Sequence, residues 1–92
     1  MPGQSYKSKQ DSSFKCVIWY KNGFTGVYYS RDWKHGRFRP DLGLEALEKL
    51  VEERAAKSRH VMIWDKRDGR DLLIRERGAS ENGWKVRSEV QF

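Results

Sequence analysis

FKCVIWYKNGFTGVYYS, residues 14 to 30, holds two runs rich in β-branched and aromatic side chains with Lys21-Asn22-Gly23 between them. Such runs fit a pleated, half-buried surface, and Asn-Gly between them is the strongest short hairpin signal. A two-residue turn with positive φ at both Asn22 and Gly23 sets Lys21 opposite Phe24, Trp19 opposite Gly26, Ile18 opposite Val27 and Cys16 opposite Tyr29. One face of the hairpin then carries Phe14, Cys16, Ile18, Tyr20, Val27 and Tyr29, and reads as core. The other carries Lys15, Val17, Trp19, Lys21, Phe24 and Tyr28, a mixture of rings and ammonium groups.

Downstream, Asp41 follows Pro40 as an expected N-cap, and Leu44, Leu47, Leu50, Val51 and Ala55 recur at helical spacing through about Ser58. The outward side of this helix carries Glu45, Glu48, Lys49, Glu52 and Glu53 and reads as solvated. Three further strands are expected at His60 to Trp64, Asp71 to Arg77 and Trp84 to Phe92, parted by reversals at 66–69 and 78–83. In the last of them Trp84, Val86, Val90 and Phe92 alternate with Lys85, Arg87, Glu89 and Gln91, which predicts one buried face. The order is ββαβββ, and the fold class is α+β: a small two-layer domain with a mostly antiparallel sheet packed on one amphipathic helix. Residues 1–13 (MPGQSYKSKQDSS) read as a flexible polar tail, and 14–92 as the single domain.

A chain of 92 residues supports one small core, and four Trp, four Tyr and four Phe favour an ordered body over a disordered polycation. Its charge is polarised. Residues 1 to 40 hold eight cationic and two anionic side chains, 41 to 59 hold four and five, and 60 to 92 hold seven and six. An excess gathered at one end favours a polyanionic partner, nucleic acid first and an anionic membrane surface or acidic protein second, with the acidic polar side of the helix arguing against the membrane. Cys16 stands alone, so no intrachain disulfide forms, and no apolar run is long enough to span a bilayer or act as a signal segment; both fit a reducing, cytoplasmic setting. One cysteine and two distant histidines supply no structural zinc site, and the glycines match no nucleotide-binding loop, so neither metal nor cofactor is expected.

Between hairpin and helix lies Arg31-Asp32-Trp33-Lys34-His35-Gly36-Arg37-Phe38-Arg39-Pro40. Cations neutralise phosphate and flat rings stack on unpaired bases, so this interleaving is the composition of a single-stranded nucleic-acid platform. The expected contacts are Arg31, Lys34, His35, Arg37 and Arg39 with Trp33 and Phe38, joined by Trp19, Lys21, Phe24 and Tyr28 of the hairpin. No helix resembles a basic recognition helix, which favours single strands over duplex.

Other readings use the same residues. Trp, Tyr and Arg are the types enriched at protein-interface anchors, so a regulator or inhibitor using Trp33, Phe38, Arg37 and the hairpin aromatics, such as a mobile-element accessory protein, is the alternative, and a homodimer through an edge strand or the hairpin face is another. A small ribonuclease with His35 as base and Arg37 or Arg39 stabilising charge is a third, although a lone loop histidine lacks the partners catalysis requires, and the chain is expected not to be an enzyme. Structurally, Trp33 and Phe38 could instead fold back to cap the core. Asp65, Asp68 and Asp71 lack calcium-loop order and read as a charged turn.

Overall fold

The computed structural model describes residues 12–78 and 84–92, with Lys34 described at its backbone only. Two strands, β1 (Phe14–Tyr20) and β2 (Thr25–Tyr29), are followed by a short ribbon of β3 (Trp33–Lys34) and β4 (Arg37–Phe38). Helix α1 (Pro40–Glu53) leads through a 3-10 turn (Ala55–Lys57) into β5 (Ser58–Asp65), β6 (Leu72–Gly78) and β7 (Lys85–Val86). The main sheet has five strands in the order β2-β1-β5-β6-β7, every neighbouring pair antiparallel, and α1 covers one face. This is the α+β, two-layer arrangement expected from the sequence, with the β3-β4 ribbon inserted before the helix.

The first hairpin departs from expectation at its turn. Tyr20 N–H donates to the Phe24 carbonyl (2.8 Å) and Gly23 N–H to the Tyr20 carbonyl (3.1 Å), which makes Lys21-Asn22-Gly23 a three-residue loop. Only Gly23 has positive φ (+95°) within it, as in a type I turn closed by a glycine bulge. Asn22 instead turns its side chain onto the Phe24 N–H (3.0 Å).

Because the side-chain period of a strand is two, that one extra loop residue exchanges the faces of β2. The observed pairs are Cys16 with Tyr28, Val17 with Val27 and Ile18 with Gly26. Tyr28 therefore joins the core side and packs against it, whereas Val27 is 48% exposed on the other.

The core lies between sheet and helix. Phe14, Cys16 and Ile18 of β1, Val61 and Ile63 of β5, and Ile74 of β6 meet Leu44, Leu47 and Val51 of α1. Burying each aliphatic side chain contributes about 1.5–3 kcal/mol, before the entropy of ordering it. A bulge in β6 leaves Ile74 without a partner in β5, and its carbonyl accepts the Arg87 N–H (2.8 Å). Trp84 and Val90 pack on the core, as their spacing suggests, but the last segment is a strand only at Lys85–Val86. Val86 and Phe92 are 61% and 65% exposed, so the expected buried face is half realised. Phe92 meets Phe14 edge-on (6.0 Å between centroids), and the Arg67 guanidinium lies over both rings.

The helix differs from its sequence reading at both ends. Arg39, not Asp41, occupies the N-cap position, without a side-chain cap; Pro40 opens the first turn, where its missing N–H costs nothing. Asp41 is taken by Arg39 through paired contacts of 3.1 and 2.9 Å. At the other end Arg54 breaks the helix, and the chain tightens into the 3-10 turn rather than reaching Ser58 as α-helix. Glu48 and Glu52, expected to face water, reach Arg75 (3.3 Å) and Arg77 (2.6 Å) of β6 and tie α1 to the sheet. Ser12 and Ser13, expected in the tail, are buried, with Ser13 C=O accepting from Lys66 N–H, so both belong to the packed body; the rest of the expected tail and residues 79–83 of the expected reversal lie outside the described residues.

Candidate nucleic-acid interface

The segment read as a loop between hairpin and helix is a second, smaller hairpin. Trp33 pairs with Phe38 and Lys34 with Arg37, leaving His35 and Gly36 at the tip with φ of +53° and +78°. Positive φ at both central residues marks the type I′ turn, which His35-Gly36 forms and Asn22-Gly23 does not. The ribbon is clamped where it leaves the sheet. Asp32 C=O accepts the Arg39 N–H (2.5 Å), Asp32 Oδ2 accepts the Ser13 N–H (2.6 Å), and Ser30 exchanges two bonds of 3.0 Å with the backbone of Phe14. Asp32 and Ser30 are buried, and Gly43 of α1 provides the space: a Cβ there would overlap Asp32 Oδ1. A short aromatic ribbon is thus carried by a rigid base, as loops that bind ligands commonly are.

Trp33 and Phe38 share one face of this ribbon with ring centroids 5.3 Å apart and planes tilted by 55°. They are 64% and 50% exposed, so they do not cap the core. Pairs of this kind contribute about 0.5–1.5 kcal/mol beyond area burial, and the mutual contact holds both rings outward.

The cations are not arranged as one ledge with the rings. Arg37 is one step along the strand from Phe38 and so projects from the opposite face, while Arg39 is engaged by Asp41. Hydrogen bonding to that carboxylate raises the Arg39 pKa, and the same bond lowers that of Asp41. Arg31, His35 and Arg37 remain exposed around the ribbon.

The four hairpin residues expected to join this surface are divided. Trp19 lies on the face of the main sheet away from α1, tilted against His60 (5.6 Å between centroids). Lys21 and Phe24 lie at the turn end of the first hairpin, away from the ribbon, and the Tyr28 ring reaches back over Gly26 toward them, beside Tyr20 and Arg54, which the sequence reading did not single out for this surface. The grouping with Arg54 depends on where α1 ends, and nothing local to Arg54 announces it.

The sheet face away from α1 carries further rings: Trp64, which the sequence reading passed over, and Tyr29, which it placed in the core and which the one-residue register change moves to this side. Lys15 Nζ lies 5.8 Å from the Trp64 ring centroid, and Lys66 Nζ 4.9 Å from that of Tyr29. Strand alternation could have found Trp64, since it stands two residues from Met62 and four from His60 in one run. On that face His60 Nε2 meets Glu76 Oε2 at 3.0 Å, and the hydrogen bonds of Arg87 to Glu76 hold its carboxyl below the usual range.

Asp65 and Asp68 are engaged within their own turn. Asp65 accepts from Arg67, whose hydrogen bonds lower its pKa against the raising effect of burial, and Asp68 accepts the Arg70 N–H in the same turn. Among the described residues no three His, Cys, Asp or Glu side chains gather as a metal site would need. Cys16 is buried, and desolvation pushes its thiol pKa up to about 12. No helix of the described residues is long and apolar enough to cross a membrane.

No protein-family model matches the chain, nor does any curated protein or solved structure. What fold and site define is a small α+β module that presents a clamped aromatic ribbon among exposed cations.

Proposed function

We propose that this module binds single-stranded nucleic acid, with unpaired bases stacking on Trp33 and Phe38 and phosphates contacted by Arg31 and Arg37. The observation that carries the reading is the outward ring pair on a rigid two-stranded ribbon, in a chain of net charge +6. Base stacking on aromatic side chains is worth about 1–3 kcal/mol per base, and ionic contacts add a salt-dependent term. Since the ribbon is two strands wide, a backbone following its edge reaches Arg37 on one side while bases lie on the rings of the other.

Titrating a labelled ten-nucleotide single strand across a salt series tests this. Log affinity falls against log salt by about 0.7 for each phosphate neutralised. Trp33→Ala weakens binding about tenfold at a stability cost of no more than about 1.5 kcal/mol, because the ring is 64% exposed and gives up chiefly its contact with Phe38. No binding at low salt removes the proposal. A protein interface on the same rings is the second reading, favoured by Trp33 and Phe38 being large, exposed and mutually ordered. Joint Arg31→Glu and Arg37→Glu substitution separates the two: it abolishes oligonucleotide binding but is tolerated by a mainly apolar contact.

A further inference from the structure

At the turn end of the first hairpin, an open groove of about 590 Å³ runs between β2 and the end of α1. Its floor is a trio. Arg54 Nη1 donates to Tyr20 Oη (3.0 Å) and Tyr28 Oη (2.7 Å), and the two phenol oxygens lie 2.6 Å apart. Nη1 has two hydrogens, both used on the phenols, and one phenol O–H must donate to the other oxygen. The second phenol O–H, with the Nε and Nη2 hydrogens of Arg54, has no acceptor within the trio. Beside one spare phenol lone pair, the surplus is donors.

The surroundings share that bias. Lys57 lines the groove and Lys21 the adjoining cleft, so three cations with Arg54 face one acid, Glu53. Phe24 stands at the rim, 72% exposed. Burial, followed by the hydrogen bond with Tyr20, raises the Tyr28 pKa and keeps that phenol protonated at neutral pH. Gly26 holds the geometry in place: the Tyr28 ring lies across it, and a Cβ there would stand 2.6 Å from Tyr28 Oη.

We infer that this groove binds a phosphomonoester, the terminal phosphate of a bound nucleic-acid strand, with the adjoining base against Phe24. A phosphate dianion has the charge and the three acceptor oxygens to meet diverging phenol, guanidinium and ammonium donors at once. A carboxylate offers fewer acceptors and no ring for Phe24, and an internal phosphodiester carries only one charge. The inference rests on the single-strand reading. It extends that reading to strand ends, since β2 runs from the turn beside the groove toward the ribbon over five residues, about 17 Å at about 3.3 Å each.

The test compares ten-nucleotide strands bearing 5′-phosphate, 3′-phosphate or hydroxyl at both ends, with a nucleoside, its monophosphate and inorganic phosphate as probes followed by amide NMR. One phosphorylated end is expected to bind about tenfold more tightly than the hydroxyl strand. The monophosphate is expected to shift Asn22, Phe24, Arg54 and Lys57 where the nucleoside does not. Tyr20→Phe with Tyr28→Phe, which removes the hydroxyls and keeps the rings, should erase the preference while binding of the hydroxyl strand persists; Arg54→Gln should do the same, and the NMR spectrum checks that each variant is folded.

Equal affinity for all three strands, with no monophosphate shifts in the groove, overturns the inference and leaves the function of the ribbon standing. Shifts from the monophosphate with no strand bound overturn the single-strand reading, and with it the strand-end assignment. Shifts of the same size and affinity from inorganic phosphate, without strand preference, also refute the strand-end assignment and define a free-phosphate site.

Discussion

Gly43→Ala is expected to destabilise the protein, although in an ordinary helix it would do the opposite. Replacing a helix-interior glycine by alanine favours the helix by about 1 kcal/mol. Here a Cβ would overlap Asp32 Oδ1 and come within 3.1 Å of Ser30 Cβ and 3.2 Å of the Arg31 carbonyl oxygen. Two of those three neighbours are backbone or a Cβ and cannot swing aside. If the Asp32 carboxyl rotates away it gives up the Ser13 N–H, a buried bond of 2.6 Å whose loss costs about 1–3 kcal/mol. Compression against Ser30 and Arg31 adds about 1 kcal/mol or more. Set against the propensity gain, the net cost is about 2 kcal/mol, which at slopes of about 1–3 kcal/mol per M lowers the urea midpoint by about 0.7–2 M.

Circular dichroism through a urea titration measures it, and a double-mutant cycle with Asp32→Ala assigns it. In the Asp32→Ala background the Gly43→Ala cost should shrink to below about 1 kcal/mol, since the principal overlap is gone. A Gly43→Ala variant as stable as wild type, or more so, would refute the claim that the 30–32 segment presses on the helix and anchors the ribbon.

Two further outcomes follow from ionisation. Asp41, Asp65 and Glu76 have folded-state pKa values held below the ordinary carboxylate range, so the stability they contribute is complete above that range and is lost as pH falls through the lowered values. The urea midpoint should hold from neutrality to about pH 5 and decline below about pH 4; a profile unchanged down to pH 2 contradicts the pairings. Cys16, with its pKa at about 12 and no exposed surface, should resist a disulfide reagent at pH 8 in the native state and react fully in denaturant. Comparable native and denatured labelling rates would contradict the burial.

The strands and the helix were legible because each has a period the core must satisfy. Cys16, Ile18, Val61 and Ile63 face Leu44, Leu47 and Val51 as alternation and 3.6-residue spacing require. The two hairpin turns were not legible in the same way. Asn-Gly is compatible with a two-residue turn and with a three-residue loop, and the choice between them reverses every side chain of β2. The three-residue loop places Tyr28 where Arg54 and Tyr20 satisfy its hydroxyl, and lays its ring over Gly26. Those partners lie 8 and 26 residues away, beyond any local pattern. Likewise, His35-Gly36 gives little hairpin signal on its own, and the ribbon depends on Asp32 being seated against Gly43 and Ser13.

By itself the sequence determined the fold class, the helix and its apolar face, the central strands, and a concentration of rings and cations before the helix, because periodicity and composition are local properties. Only the tertiary structure decided which rings face out, which arginines are already paired, and which distant hydroxyls meet at one groove. Those outcomes turn on register and on contacts between residues far apart in the chain, where the free-energy differences between competing arrangements are a few kcal/mol and no single segment carries them.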